Sequence, residues 1–99
     1  MRLTETQIDA IRHIVHQVVG AQVKVRVFGS RLDDAARGGD LDLIIESNEP
    51  MENPALITAK LSALISRMME GRKVDVILSS PNLMRLPIHD IALKEGQLL

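Results

Sequence analysis

The chain has 99 residues, of which 45% are hydrophobic and 25% are charged, and its formal net charge at pH 7 is −1. These values are typical of one folded domain over residues 1–99 and argue against disorder for most of the chain. A net charge near zero and a single aromatic residue, Phe28, argue against duplex nucleic acid binding and against a base-stacking platform for single strands.

The sequence has no cysteine, so disulfides, zinc–thiolate sites and iron–sulfur sites are excluded. The first residues lack the long apolar run of a signal peptide. No stretch approaches the roughly 20 apolar residues of a membrane span. We therefore expect a cytoplasmic protein that does not contact a membrane.

The first half of the chain begins with an amphipathic helix over residues 4–19, where Thr4 and Gln7 form a capping-box pattern. Residues 24–28 (KVRVF) alternate polar and apolar side chains, which predicts a half-buried strand. Residues 30–37 favour one or two helical turns with Ser30 as the N-cap.

The second half contains strand, helix, strand and helix patterns over residues 40–46, 54–70, 73–78 and 87–95. Pro87 suits the first position of the last helix. This order predicts an α/β (α+β) domain with a small mixed sheet of about three strands flanked by helices.

Two acids at the start of the 40–46 strand indicate a metal-binding site. Side chains alternate along a strand, so Asp40 and Asp42 lie on one face, roughly 7 Å apart at the backbone. Asp75 is a lone acid in the otherwise apolar strand VDVI. If the two strands pair, three carboxylates converge, and such oxygen-rich sites suit Mg²⁺ or Mn²⁺ completed by substrate phosphates.

A phosphate-binding corner precedes these acids. Gly29 allows a close approach of the backbone, and Ser30 opens a helical turn whose N–H groups can hold phosphate. Arg31 is equally well explained by a phosphate contact or by a surface salt bridge. The combination implies phosphoryl-type chemistry with two cations.

Each feature also has a plainer interpretation. Asp40 and Asp42 could begin a solvated strand, Asp75 could lie on an exposed strand face, and Gly29–Ser30 could form an ordinary capped turn. The presence of all three together favours the site. Leu98 and Leu99 are equally consistent with packing onto the sheet and with a partner surface.

The motif resembles a known family. Gly29-Ser30, Asp40-Leu41-Asp42-Leu43 and Asp75 on a later strand are similar to the signature of the DNA polymerase β-like nucleotidyltransferase superfamily, and specifically of its minimal nucleotidyltransferases. Gly39 stands where many relatives have serine. The resemblance covers about residues 25–78, and the order of the elements extends it across nearly the whole chain, which implies the polymerase β-like fold.

The resemblance also implies function. Gly29 and Ser30 would hold the triphosphate of ATP or another nucleoside triphosphate, and Asp40, Asp42 and Asp75 would be catalytic and would bind two Mg²⁺ ions, with Mn²⁺ as the alternative. Such proteins often pair with a HEPN-type helical partner as antitoxin and adenylylate it, which implies a homo- or hetero-oligomer.

Two rival functions are weighed beside this one. The chain could be a non-catalytic module that neutralises a partner by occlusion. An Asp-x-Asp motif also holds manganese on nucleotide sugars in glycosyltransferases, although the chain is short for a fold of that kind.

Overall fold

The computed structural model describes residues 3–29 and 41–99. In these residues the chain forms three helices and four strands. In chain order they are α1 (Glu5–Val18), β1 (Lys24–Phe28), β2 (Leu41–Glu46), α2 (Pro54–Met68), β3 (Val74–Ser79), α3 (Pro87–Glu95) and β4 (Gln97–Leu98). The helix predicted for residues 30–37 lies outside the described residues. Within the described part, no helix has both the length and the apolar composition that a bilayer crossing requires.

Helix α1 begins as its sequence predicts. The Thr4 hydroxyl accepts a hydrogen bond from the Gln7 backbone N–H at 3.1 Å, and the Gln7 side chain accepts one from the Thr4 N–H at 2.9 Å. This capping box satisfies two N–H groups that a helix start leaves without a partner. On the inner face of this amphipathic helix, Ile11 and Val15 are both fully buried.

The sheet has the order β3-β2-β1-β4. Strand β2 pairs antiparallel with β1 and parallel with β3, and β4 pairs antiparallel with β1. A parallel pair needs a long connection between its strands, and α2 supplies it. The prediction of a small mixed sheet flanked by helices is confirmed, with four strands rather than three.

One face of the sheet carries the main core. There α1 and α2 pack against apolar residues that alternate along β1, β2 and β3. The buried members are Ile11, Val15, Val25, Val27, Leu41, Leu43, Ile45, Leu61, Ile65, Val74 and Leu78, together with Val23, Met51 and Met69 from the connections. These contacts fix the positions of the three longer strands.

The opposite face is covered in part by α3. Its apolar cluster joins Phe28, Ile44 and Ala92, and Ile77 and Leu93 pack against them. We call this face of the sheet, which carries Phe28, Asp42, Ile44, Asp75 and Ile77, the site face. Since β2 also buries Leu41, Leu43 and Ile45 on the main core, it is covered on both sides.

The last strand was not predicted. In β4, Leu98 is paired with Arg26 and Gln97 with Val27, and the Leu99 N–H donates to the Val25 carbonyl at 2.9 Å. Of the two alternatives for the chain end, packing fits Leu99 and an exposed surface fits Leu98. Leu99 packs against the main core, whereas Leu98 is 53% exposed.

Candidate active site

Two of the predicted acids are neighbours in the sheet. Asp42 of β2 and Asp75 of β3 are register partners in the parallel ladder. Register partners on adjacent strands point to the same face, and the strands lie about 4.8 Å apart. Asp42 is half-buried and Asp75 is exposed, so both carboxylates belong to one accessible surface on the site face.

The two acids are carried by paired strands. Phe28 of β1 is the register partner of Asp42 on its other side, and Ile44 follows on the same face of β2. The Leu41 N–H donates to the Lys73 carbonyl at 3.0 Å and so aligns the starts of β2 and β3. Side chains carried on paired strands over a packed cluster hold their geometry better than side chains on loops.

Gly29 borders the same carboxylate. It follows β1 directly and has φ of +75°, in the left-handed region that glycine adopts readily. A Cβ built on Gly29 would lie 3.2 Å from Asp42 Cγ and closer still to Oδ2. The end of β1 and the predicted metal-binding acid therefore meet at one corner of the site face.

Three other predicted site residues, Ser30, Arg31 and Asp40, lie outside the described residues. Among residues 3–29 and 41–99, no group of three or more His, Cys, Asp or Glu side chains is arranged to hold a metal ion. The described part of the site is thus the pair Asp42 and Asp75 with Gly29 beside it.

The chemistry of this pair fits a hard divalent cation. Two carboxylates side by side repel one another unless a proton or a cation lies between them. Their oxygen atoms are the ligands that Mg²⁺ and Mn²⁺ prefer, and these ions are commonly held by one or two carboxylates together with substrate phosphates.

A buried histidine was missed by the sequence analysis. His89 in α3 is only 8% exposed. Its Nδ1 accepts a hydrogen bond from the Leu86 N–H at 3.0 Å, which leaves the proton on Nε2 to be donated to the Leu78 carbonyl at 2.8 Å. Its place two residues after Pro87, at the third helical position, was the available signal, since that position can reach back to the N-cap N–H. His89 holds α3 against β3.

An apolar cavity of about 340 Å³ lies beside β3. It is bounded by the first turns of α2, by β3 and by the segment that leads into α3. The lining residues are Pro54, Ala55, Thr58, Ile77, Leu78, Leu83, Met84 and His89. Ile77 follows Asp75 on the site face, so the cavity adjoins the surface that carries the acids.

Comparison with known proteins identifies the family. No curated protein matches the chain. The family profile described as a nucleotidyltransferase domain matches residues 8–99, nearly the whole chain, and confirms the resemblance found in the sequence motif. The helices and the mixed sheet agree with that assignment, and the chain therefore belongs to the nucleotidyltransferase domain family.

Proposed function

We propose that this nucleotidyltransferase uses Mg²⁺ to move AMP from ATP onto a hydroxyl group of a HEPN-type partner protein, and that it acts as an antitoxin in doing so. The observation that carries the proposal is the pairing of Asp42 with Asp75 in one rung of the β2–β3 ladder. General nucleotidyl transfer follows from the family, while the metal, the nucleotide, the acceptor and the cytoplasmic location belong to the proposal.

The acids would bind the metal and accept a proton. Asp42 and Asp75, with Asp40, would hold the metal, which supplies positive charge to the triphosphate and to the acceptor oxygen. Asp75 is the more exposed of the described pair. We propose that its carboxylate accepts the proton of the acceptor hydroxyl. Catalysis then rests on positioning and on charge stabilisation.

The reaction balances without a further reactant. The acceptor oxygen forms a bond to the α-phosphorus of ATP, and the bond from that phosphorus to the bridging oxygen breaks. Pyrophosphate leaves with the electron pair. Gly29, with Ser30 and Arg31, would hold the leaving phosphates at the end of β1.

A partner chain would supply the acceptor. Several large apolar side chains near the cavity are exposed, among them Met84 at 79%, Leu86 at 47% and Ile88 at 41%. Exposed apolar residues that cluster together commonly mark protein contacts. Met84 lines the same cavity as Ile77, which follows Asp75 on the site face, so an acceptor protein bound at this surface would lie near the acids.

Labelling with two forms of ATP tests the enzyme. The chain, purified with its co-expressed partner, is incubated with Mg²⁺ and ATP labelled at the α- or the γ-phosphate. Only the α-label should enter the partner, and mass spectrometry should find one added AMP. Asp42→Asn and Asp75→Asn should lower labelling by at least roughly 100-fold, since each removes a charged ligand of the metal site. Asp9→Asn, an exposed acid on α1, serves as control.

Undiminished labelling by the Asp42→Asn variant would refute the site. Transfer of the γ-label would instead identify a kinase. Panels of nucleoside triphosphates and of nucleotide sugars separate ATP from other donors, including those that a glycosyltransferase uses.

The second candidate is neutralisation of the partner by occlusion. The same exposed residues, Met84, Leu86 and Ile88, favour it, because an apolar surface can block a partner without chemistry. In a co-expression assay, a variant with Asp40, Asp42 and Asp75 all changed to Asn decides between the two. Occlusion predicts full neutralisation, whereas transfer predicts its loss although the complex still forms.

A further inference from the structure

The contact between Gly29 and Asp42 suggests a role for this glycine that differs from phosphate binding. Gly29 lies one residue beyond Phe28, the register partner of Asp42. The ladder therefore fixes the backbone of the Asp42 position beside the end of β1. The Asp42 carboxylate lies over the place where any other residue at position 29 would carry its Cβ.

The space available there is too small for a methyl group. A Cβ on Gly29 would be 3.2 Å from Asp42 Cγ and closer to Oδ2 than real Cβ contacts are, while its 3.5 Å separation from Asp42 Cβ is an ordinary contact. The crowded atoms are thus the carboxylate itself. Because the carboxylate can rotate and the paired backbone cannot move easily, a methyl group would displace the carboxylate first.

We propose that Gly29 is a positioning residue, whose missing side chain leaves room for the Asp42 carboxylate to keep its orientation over the end of β1. This inference deepens the proposed function and rests on it for the metal. A residue whose only role is to contact phosphate would affect nucleotide binding. A positioning residue also affects metal binding when no nucleotide is present.

Gly71 provides a matched control. It has φ of +85°, so alanine there meets the same backbone strain as at Gly29. A Cβ on Gly71 would have no atom within 4 Å. A comparison of the two alanine variants therefore separates crowding of the carboxylate from strain of the backbone.

The first measurement is Mn²⁺ binding by calorimetry without nucleotide. Gly29→Ala should weaken binding by roughly 10-fold or more, as is usual for residues that orient metal ligands. Gly71→Ala should bind as wild type does. Equal affinity of the Gly29→Ala variant and wild type would overturn the proposal.

A second measurement does not depend on function. In crystal structures, the Asp42 side chain of Gly29→Ala should occupy a different rotamer from that in wild type, and an unchanged rotamer would overturn the proposal. If wild type binds no Mn²⁺ but the rotamer changes, the proposed metal chemistry fails while the positioning role stands.

A variant that does not fold is also informative. Asp42→Ala removes Cγ and Oδ2 and leaves only the ordinary Cβ contact. If Gly29→Ala alone fails to fold, the double variant Gly29→Ala/Asp42→Ala should fold. Failure of the double variant, with Asp42→Ala folded, would place the effect in the backbone and overturn the proposal.

Discussion

Asp42 and Asp75 lie side by side in the parallel ladder of β2 and β3, on the face of the sheet that α3 covers only in part. Neighbouring like charges on paired strands destabilise a sheet by a few tenths of a kcal/mol to about 1 kcal/mol. From the register pairing we expect the metal-free protein to be less stable than a variant with one of the two charges removed, and we expect a bound cation to reverse the effect.

Asp75→Asn should therefore stabilise the chain without metal and abolish most of the stabilisation by metal. We expect urea unfolding in EDTA to give a free energy of unfolding about 0.5 kcal/mol above that of wild type. With Mg²⁺ at ~100 times its Kd, wild type should gain about 2.7 kcal/mol and the variant much less. Asp9→Asn is the control. Equal gains from Mg²⁺ in wild type and Asp75→Asn would contradict a shared metal site.

Ile44→Ala should loosen α3. Ile44 lies on the site face, is fully buried under α3, and belongs to one apolar cluster with Phe28 and Ala92. The loss of a buried isoleucine side chain costs about 2–5 kcal/mol. Urea unfolding should register this loss, and hydrogen exchange should locate its largest effect in α3.

The comparison variant for this prediction is Ile88→Ala, on the exposed side of the same helix. Ile88 is 41% exposed, so its truncation should change stability by less than ~1 kcal/mol. If Ile44→Ala changes stability as little as Ile88→Ala, α3 is held by contacts other than the buried cluster.

Local patterns were sufficient to predict most elements. The limits of Lys24–Phe28 and Pro87–Glu95 agree with those predicted, because alternation marks the first and a proline at the helix start marks the second. Alternation also predicted the face of Asp42 and that of Asp75. It left open whether the strands pair, since that depends on how α2 returns the chain to the sheet.

Features that depend on distant partners were not predictable in this way. Strand β4 has only two residues, too few for a pattern, and it forms because β1 offers an open edge. His89 is polar and lies on a helix, so its burial depends on the Leu78 carbonyl, which only the folded chain brings within reach. Asp40, Ser30 and Arg31 remain predictions from the motif alone.

His89→Ala should destabilise the domain by about 2 kcal/mol. The variant leaves the Leu78 carbonyl and the Leu86 N–H without their partner, and an unsatisfied buried polar group costs about 1–3 kcal/mol. Thermal and urea unfolding measure the loss. His13→Ala, which changes an exposed histidine of α1, should have little effect. If His89→Ala changed stability as little as His13→Ala, neither hydrogen bond of His89 would be needed to hold α3.

Asn82 joins the loop after β3 to the loop after β2. Its Oδ1 accepts from the Met51 N–H at 2.9 Å, and its Nδ2 donates to the Met51 carbonyl at 2.8 Å. The Ser80 hydroxyl donates to the same Oδ1 at 2.6 Å. Met51 is 4% exposed, so the amide satisfies both backbone groups of a buried residue and ties the segment before α2 to the segment after β3.

Asn82→Asp tests this pair of hydrogen bonds to Met51, because it keeps the shape of the side chain and the Oδ1 acceptor but loses the Nδ2 donor. The Met51 carbonyl then faces a carboxylate oxygen, so we expect a loss of about 2 kcal/mol or more in unfolding free energy, at least as large as in Asn82→Ala. Asn48→Asp, an exposed asparagine in the loop after β2, is the matched control. Pro54 and Leu83, which follow Met51 and Asn82 in the chain, both line the apolar cavity. Asn82→Asp should therefore also speed hydrogen exchange at Met51, and it should weaken binding of the proposed partner if that protein contacts the cavity. Unchanged exchange at Met51 would mean that the loops are held together without the amide.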